Sequence, residues 1–129
     1  ILNFDQYSNS LSITKSIEIV YGLRNFIGNA NKFSNSKVFI NIKSDNDKTE
    51  VIIEDDGEGY TNSVLRKIGE PYIKSYKPSI KSKSGLGLGI FIGKTLLEKN
   101  YANILCRNSL TRSGAEVIIQ WKNKDLLKI

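Results

Sequence analysis

The sequence contains no histidine, no methionine, one cysteine and two prolines. Without histidine it cannot use a Ser-His-Asp or Cys-His nucleophile system, histidine acid–base catalysis or histidine-ligated metals. A single cysteine, Cys106, excludes an internal disulfide and a cysteine-cluster zinc site, and its place in a predicted strand indicates a small core residue. Any catalysis must therefore come from carboxylates, amides, lysines, backbone groups or a bound cofactor.

Long hydrophobic runs are also missing: no stretch of about 18 apolar residues is present, so the sequence predicts no membrane span. The start shows neither an initiator methionine nor a signal-peptide layout, which we interpret as the interior of a longer protein. The 129 residues carry a net charge of +6. Much of this excess lies in one loop, because four lysines and no acidic residue occur between Pro71 and Gly85.

Hydrophobic spacing predicts alternating helices and hairpins. Apolar residues recur every three or four positions over residues 17–33, which predicts a helix with Ser16 as its N-cap. Two apolar runs on either side of an Asp-Asn-Asp turn predict a hairpin. The other predicted elements are a strand near residues 11–13, helices over 61–68 and 90–99, and strands over 102–107 and 115–121.

These elements predict an α+β fold: a two-layer sandwich of a mixed, mainly antiparallel sheet with helices on one face. We expect a single domain over residues 1–129. Residues 71–85 read as a long loop of the kind that forms functional lids, and residues 122–129 as a loose tail.

Three polar residues, Asn25, Asn29 and Lys32, share one face of the first predicted helix, beside its apolar stripe. Asparagine is unfavourable inside helices, so two of them on one face require a reason. One interpretation is a solvated polar face. The other is a pair of amide oxygens directed at a hard cation such as Mg²⁺, which shares its oxygen ligands with phosphates, with Lys32 as a point charge for those phosphates.

An acidic, glycine-containing segment, Asp-Asp-Gly-Glu-Gly at residues 55–59, follows the hairpin. A plain acidic turn is the simpler interpretation, but the two glycines also let a ligand approach the main chain. Asp55 is in phase with Val51 and Ile53, so its carboxylate is expected on the buried side of the strand. A buried carboxylate needs hydrogen-bond donors, and an adenine amino group is one candidate.

A second glycine-rich segment, Gly-Leu-Gly-Leu-Gly at residues 85–89, precedes the second long helix. Backbone amides at a helix N-terminus bind anions, although a plain loop is an equal alternative. The segment is neither a P-loop nor a dinucleotide fingerprint, because no Gly-Lys-Ser/Thr follows and the spacing differs. Between the two glycine-rich segments lies Glu-Pro-Tyr at residues 70–72.

In this order the segments resemble the ATP-binding catalytic domain of bacterial sensor histidine kinases, which shares the Bergerat (GHKL) fold with gyrase and Hsp90. Residues 23–34 resemble the N box, 55–59 the G1 box, 70–72 the F box and 85–89 the G2 box. The resemblance covers residues 17–121 and is strongest to the redox-responding RegB/PrrB group. The sequence departs from the family in having Glu58 where many members have proline, and in a weak glycine turn around residues 113–115.

The resemblance implies a role for each matching residue. Asn29 would ligand a Mg²⁺ ion that bridges the ATP phosphates, with Asn25 assisting, and Lys32 would contact phosphate, so that Asn29 and Lys32 are the implied catalytic residues. Asp55 would accept a hydrogen bond from the adenine amino group. Residues 71–85 would form the ATP lid. The other implied ATP-binding residues are Phe33, Gly57, Gly59, Ile68, Tyr72, Gly85, Leu86, Gly87, Leu88 and Gly89.

The implied function is that of a protein-histidine kinase domain, with ATP and Mg²⁺ as cofactors. It would donate the γ-phosphate to a histidine on an upstream dimerisation domain, and a response regulator would be the next partner. The full-length protein would be a membrane-anchored homodimer with this domain in the cytoplasm, whereas the isolated domain would be monomeric and would bind no nucleic acid. The family's ATPases carry a glutamate at the position of Asn25, so efficient hydrolysis is not expected here. An anti-sigma-factor-type Ser/Thr kinase and a non-catalytic nucleotide-binding module stay open as alternatives.

Overall fold

The computed structural model describes residues 1–4, 13–66 and 86–129. One five-stranded sheet has the order β1-β2-β3-β5-β4. β1 pairs parallel to β2, and every other neighbouring pair is antiparallel. The elements are β1 (Leu2–Phe4), α1 (Ile17–Phe33), β2 (Val38–Ser44), β3 (Lys48–Asp55), α2 (Asn62–Arg66), α3 (Leu86–Lys99), β4 (Asn103–Asn108), β5 (Ala115–Lys122) and α4 (Asn123–Leu126).

The core lies between the sheet and the pair of long helices, which confirms the predicted two-layer α+β sandwich. Alternate residues of β3 and β5 point into it, so Ile53 and Ile119 are almost fully buried against Phe26 of α1 and against Ile90 and Leu97 of α3. Burying a side chain of this size contributes about 1.5–3 kcal/mol to folding. In the described part of the chain, no helix combines the length and apolar character needed to cross a membrane.

Two glycines allow α1 and α3 to pack at close range. A Cβ atom on Gly22 would lie 2.5 Å from Cγ of Leu97, and one on Gly93 would lie 2.8 Å from the ring of Phe26. The close approach places the Asn25 side of α1 directly against α3, since Cβ of Asn25 would lie 3.3 Å from the same added atom on Gly93. The polar face of α1 predicted from spacing is therefore partly covered by a second helix.

The predicted ends of α1 are confirmed. The hydroxyl of Ser16 accepts a hydrogen bond from the Ile19 N–H at 3.3 Å, as an N-cap does, and donates to Oδ1 of Asn100 at 3.1 Å. That second bond joins the start of α1 to the end of α3.

The end of α3 lies at Lys99, directly before Asn100, as the sequence predicts. The residue in the left-handed conformation is Tyr101, with φ of 71°.

The structure differs from the sequence-based expectations at several boundaries. β1 was not predicted. Of the strand predicted near residues 11–13, only Ile13 is described, and it lies outside any strand. β3 begins at Lys48, three residues before the apolar run at Val51. The hydrophobic pattern missed these first residues because their side chains are polar. α3 begins at Leu86 instead of Ile90, so Gly87, Leu88 and Gly89 are helical.

The expected loose tail is replaced by an ordered end of the chain. α4 buries Leu126, and the side chain of Asn123 is also buried. Asn123 receives a hydrogen bond from Thr49 Oγ1 at 2.7 Å and donates through Nδ2 to the Asp45 carbonyl at 2.7 Å. These partners lie 74 and 78 residues away, so the composition of the tail alone could not reveal them.

Candidate functional site

Asp55 is the last residue of β3 and is 4% exposed, as its phase with Val51 and Ile53 predicts. Its Oδ1 accepts hydrogen bonds from the N–H groups of Gly57 at 2.8 Å and Ala115 at 3.3 Å. Burial raises the pKa of Asp55 above its usual range, and these two backbone donors oppose the rise only in part. Both hydrogen bonds engage Oδ1, so the second oxygen, Oδ2, is the acceptor available for a ligand.

Glycines are required around this carboxylate because the backbone is crowded. A Cβ atom on Gly57 would lie 2.1 Å from the carbonyl oxygen of Phe33 at the end of α1. A Cβ atom on Gly114 would lie 2.1 Å from the Asp55 carbonyl oxygen and 2.2 Å from Oδ1 of Asp55. Any larger residue at either position must displace the main chain that holds the carboxylate.

A narrow cleft beside Asp55 lies between α1 and the sheet, with a cavity volume of about 30 Å³. Asp55 does not line it directly but reaches its wall through the hydrogen bond to Ala115. The walls are apolar and aromatic apart from one amide, that of Asn29, a composition typical of ligand pockets. The lining residues are Phe26, Asn29, Ala30, Phe33, Ile53, Tyr60, Ala115 and Val117.

The amide of Asn29 lies where α1 and α3 meet at the edge of this cleft. Its Nδ2 is buried and has no hydrogen-bond partner among the described residues. A Cβ atom on Gly89 would lie 2.9 Å from Oδ1 of the same amide, so α1 and the glycine-rich segment are in contact. A buried amide left unsatisfied costs free energy, and such a group is a natural partner for a bound ligand.

The other two polar residues of α1 are placed differently. Asn25 is half-buried, and its Nδ2 donates to the Tyr21 carbonyl of its own helix at 2.8 Å. Lys32 is exposed, with its ammonium group 5.8 Å from the centre of the Phe33 ring. Of the three residues, Asn29 is therefore the one that the structure brings to the cleft wall.

The residues 86–89 form the first turn of α3. The first four N–H groups of an α-helix have no partner within the helix, so these glycine-rich amides are available to an anion. Ile68, Tyr72, Gly85 and the lid at residues 71–85, with its four lysines, lie outside the described residues.

Several residues near the cleft were missed by the sequence analysis. Tyr60 forms part of the wall, Ala115 supplies a donor to Asp55, and Asn108 makes two hydrogen bonds to the Tyr60 main chain. The glycine before the last strand was the one available signal for the Ala115 region. No spacing rule connects Asn108 with Tyr60, because they are 48 residues apart.

Cys106 is half-buried on β4 and packs against the core, as predicted. The side chain of Tyr60 is a neighbour of its thiol. Burial raises the pKa of the Cys106 thiol to about 11, so this group stays protonated and unreactive at neutral pH.

Comparison with known proteins agrees with this geometry. The family model described as "Histidine kinase-, DNA gyrase B-, and HSP90-like ATPase" matches residues 14–125. The chain is 38% identical over 125 residues to the sensor histidine kinase RegB of Cereibacter sphaeroides, an alignment that covers 84% of this chain and 27% of RegB. It is also 30% identical over 101 residues to the sensor protein QseC of Escherichia coli, covering 77% of this chain and 21% of QseC. The chain thus spans about a quarter of the length of these relatives.

Solved structures share the fold. The mycobacterial sensor histidine kinase MprB superposes with a TM-score of 0.67 at 22% identity, covering 85% of this chain and 75% of that structure. Full-length ShkA, solved in complex with AMPPNP, superposes with a TM-score of 0.69 at 21% identity, covering 93% of this chain and 25% of ShkA. With residues 14–125 matched, the chain belongs to the family of histidine kinase-, DNA gyrase B- and HSP90-like ATPases.

Proposed function

We propose that the protein binds Mg-ATP in the cleft between α1 and the sheet and donates the γ-phosphate to a histidine on a dimerisation domain. The observation that carries this proposal is the buried Asp55 carboxylate beside an apolar cleft whose one lining amide, that of Asn29, has no partner among the described residues. The name of RegB as a sensor histidine kinase, and the AMPPNP complex of ShkA, support the same ligand and reaction class.

The nucleobase half of the site follows from Asp55 and the cleft walls. Oδ2 of Asp55 accepts the hydrogen bond of the adenine amino group, while Gly57 and Gly59 shape the turn that follows. The aromatic side chains of Phe26, Phe33 and Tyr60 supply apolar surface for a flat purine. A purine with an oxygen in place of that amino group would place one acceptor against another, because an ionised carboxylate has no proton to donate. The site therefore favours adenine.

The phosphate half lies at the junction of α1 and α3. Asn29 fits a Mg²⁺ site because its Oδ1, which adjoins Gly89, is the type of oxygen ligand that Mg²⁺ takes beside phosphates. Its buried Nδ2, which has no partner among the described residues, is a donor suited to a phosphate oxygen. The bound Mg²⁺ would neutralise phosphate charge. Lys32 adds a positive charge, and the backbone N–H groups of residues 86–89 donate to phosphate oxygens. Residues 71–85 act as the ATP lid, with one of their lysines on the γ-phosphate.

The acceptor histidine lies on a different domain, because this chain contains no histidine. Catalysis then consists of positioning and charge stabilisation, as phosphoryl transfer generally requires. The Asn25 amide cannot take a proton, so the chain has no base at the place where the family's ATPases activate water. This favours transfer to a protein side chain in a dimeric, membrane-anchored sensor kinase that passes the phosphate to a response regulator.

The metal assignment is tested by titrating ATP into the Asn29→Ala variant with and without Mg²⁺. We expect a loss of about tenfold or more in affinity when Mg²⁺ is present, equal to about 1.4 kcal/mol, and a smaller loss in a chelator. Asn31→Ala is the matched control, because Asn31 is an exposed asparagine two residues further along the same helix.

Equal losses with and without Mg²⁺ would remove the metal role of Asn29. Absence of ATP binding by the unchanged protein would overturn the proposed function as a whole. The transfer step is checked by incubating the full-length protein with γ-labelled ATP, where label on an acid-labile phosphohistidine is expected. Label on serine or threonine would favour the alternative Ser/Thr kinase.

A further inference from the structure

Asn108, the last residue of β4, holds the main chain of Tyr60 with both ends of its amide. The Tyr60 N–H donates to Asn108 Oδ1 at 2.6 Å, and Asn108 Nδ2 donates to the Tyr60 carbonyl oxygen at 3.0 Å. The Tyr60 main chain thus donates one hydrogen bond and accepts one, as a residue does opposite its partner in an antiparallel sheet. Neither Tyr60 nor its neighbours in the chain belong to the sheet. A side chain thus replaces a missing strand partner.

The clamped segment has no regular structure to support it. Residues 58–60 lie between β3 and α2, and Gly59 has a positive φ of 79°. A Cβ atom on Gly59 would lie 2.6 Å from Asn108 Oδ1, so glycine is needed for the amide to come this close. The turn after Asp55 therefore depends on Asn108 for its position.

The clamp is itself fixed to the sheet. The neighbouring Ser109 donates through its hydroxyl to Glu54 Oε2 at 2.7 Å, and its N–H donates to the Gly114 carbonyl at 2.7 Å. Glu54 lies on β3 directly before Asp55, and Gly114 packs against Asp55. Through Ser109, Asn108 is therefore connected to both neighbours of Asp55, the carboxylate that we assign to the nucleobase.

The residue that Asn108 holds forms part of the cleft wall. The Tyr60 side chain lines the cleft. The Tyr60 main chain is anchored to β4 through Asn108. Loss of that anchor would release the main chain of residues 58–60 and, with it, part of the cleft wall.

We propose that Asn108 is a positioning residue for the nucleobase half of the site: by holding Tyr60, it keeps the cleft wall in the place that adenine requires. This proposal rests on the proposed nucleotide-binding function. Asn108 is solvent-exposed and does not line the cleft, so it acts through Tyr60 and not by touching the ligand.

The test compares Asn108→Ala and Asn108→Asp with Asn103→Ala, an exposed asparagine at the other end of the same strand. We expect Asn108→Ala to weaken ATP binding by about tenfold in calorimetry. In autophosphorylation by the full-length protein, KM for ATP should rise by a similar factor with kcat nearly unchanged, because the phosphate half is untouched. Asn108→Asp keeps the acceptor for the Tyr60 N–H and should recover part of the affinity.

Three outcomes would overturn the proposal: ATP affinity of Asn108→Ala equal to that of the unchanged protein, a fall in kcat as large as the rise in KM, or an equal loss in Asn103→Ala. If Asn108→Ala does not fold, Asn108→Asp is compared with the unchanged protein. The proposal then requires that Asn108→Asp raise KM for ATP and leave kcat nearly unchanged. Failure of the unchanged protein to bind ATP would instead refute the underlying function.

Discussion

At the scale of single residues, Asp55 combines two opposed requirements. The carboxylate accepts a hydrogen bond most strongly when it is ionised, yet it lies in a buried site that disfavours its charge. Its neighbours compensate in part, since Gly57 and Ala115 donate to Oδ1 and Gly114 leaves room for the side chain. In the proposed complex, a ligand donor at Oδ2 would supply the compensation that the protein lacks.

Replacing Asp55 with asparagine should therefore change ATP affinity and the stability of the free protein in opposite directions. We expect Asp55→Asn to weaken ATP binding by at least about tenfold, or about 1.4 kcal/mol, because the amide offers either a donor or a weaker, neutral acceptor to the adenine amino group. Calorimetry measures this loss. Asp47→Asn, in the exposed β2–β3 turn, makes the same change of charge and should bind ATP as the unchanged protein does.

The same variant has the opposite expected effect on the free protein. Because the pKa of Asp55 is raised above its usual 3.8, the ionised carboxylate lowers the free energy of unfolding at neutral pH, and this cost disappears as pH falls through the raised pKa. Asp55→Asn should therefore unfold at a higher temperature than the unchanged protein at neutral pH without nucleotide. The difference should shrink in acid, and a constant difference across pH would argue against burial of the charge.

The sequence predicted the position of Asp55 but not its partners, for a physical reason. Strand periodicity is local, so Val51 and Ile53 suffice to place Asp55 on the buried side. Ala115 and Asn108 reach the site only through the register of β5 beside β3 and of β4 beside β5. Register depends on contacts between distant segments, which one sequence read locally does not contain.

At the scale of elements, the central device is the junction between the end of α1 and the turn after β3. Asp56 Oδ1 accepts hydrogen bonds from the N–H groups of Asn35, Ser36 and Lys37 at 2.9, 3.0 and 3.1 Å. Its Oδ2 accepts from the Ser36 hydroxyl at 2.7 Å. The two adjacent aspartates thus have separate roles, since Asp55 faces the site and Asp56 fixes the α1–β2 loop.

This junction predicts an acid-sensitive contribution to stability. Hydrogen bonds from Ser36 and Lys37 hold the pKa of Asp56 well below its usual 3.8, so its stabilising effect is complete above that value and is lost as pH falls through the lowered pKa. Asp56→Ala should lower the midpoint of thermal unfolding by several degrees at neutral pH and much less in strong acid. Thermal melts over a pH series measure the effect.

The matched variant Asp56→Asn keeps an acceptor oxygen for the three N–H groups but cannot ionise. Because the stabilising effect depends on the ionised carboxylate, Asp56→Asn should lose most of it at neutral pH, together with the acid dependence. Full stability of Asp56→Asn at neutral pH would show that the geometry of the acceptor, and not its charge, holds the loop.

Element boundaries show where local propensity and tertiary contacts disagree. The glycines at positions 87 and 89 disfavour a helix, so the sequence places the start of α3 at Ile90. The structure begins the helix at Leu86, and Gly89 there contacts Asn29 of α1. Close packing against α1 compensates for the weak propensity.

At the scale of the whole molecule, the two ends of β3 have different tasks. Asp55 and the cleft lie at one end, and Lys48, beside the β2–β3 turn and α4, lies at the other. Seven strand steps separate the ends by about 23 Å. Asn123 connects α4 to the turn at the far end, through its bonds to Thr49 and to the Asp45 carbonyl. Residues that stabilise the chain there lie far from the cleft.

This separation predicts that Asn123→Ala will damage stability and leave binding intact. The substitution removes two part-buried side-chain hydrogen bonds, each of which contributes about 0.5–1.5 kcal/mol to the free energy of unfolding. Denaturant unfolding measures that loss, with the exposed Asn103→Ala as a control that should be near neutral. Below the unfolding temperature, calorimetry should give an ATP affinity within about twofold of the unchanged protein, since effects at distant sites are nearly independent. A large loss of affinity in Asn123→Ala would show that the two ends of β3 are coupled through the sheet.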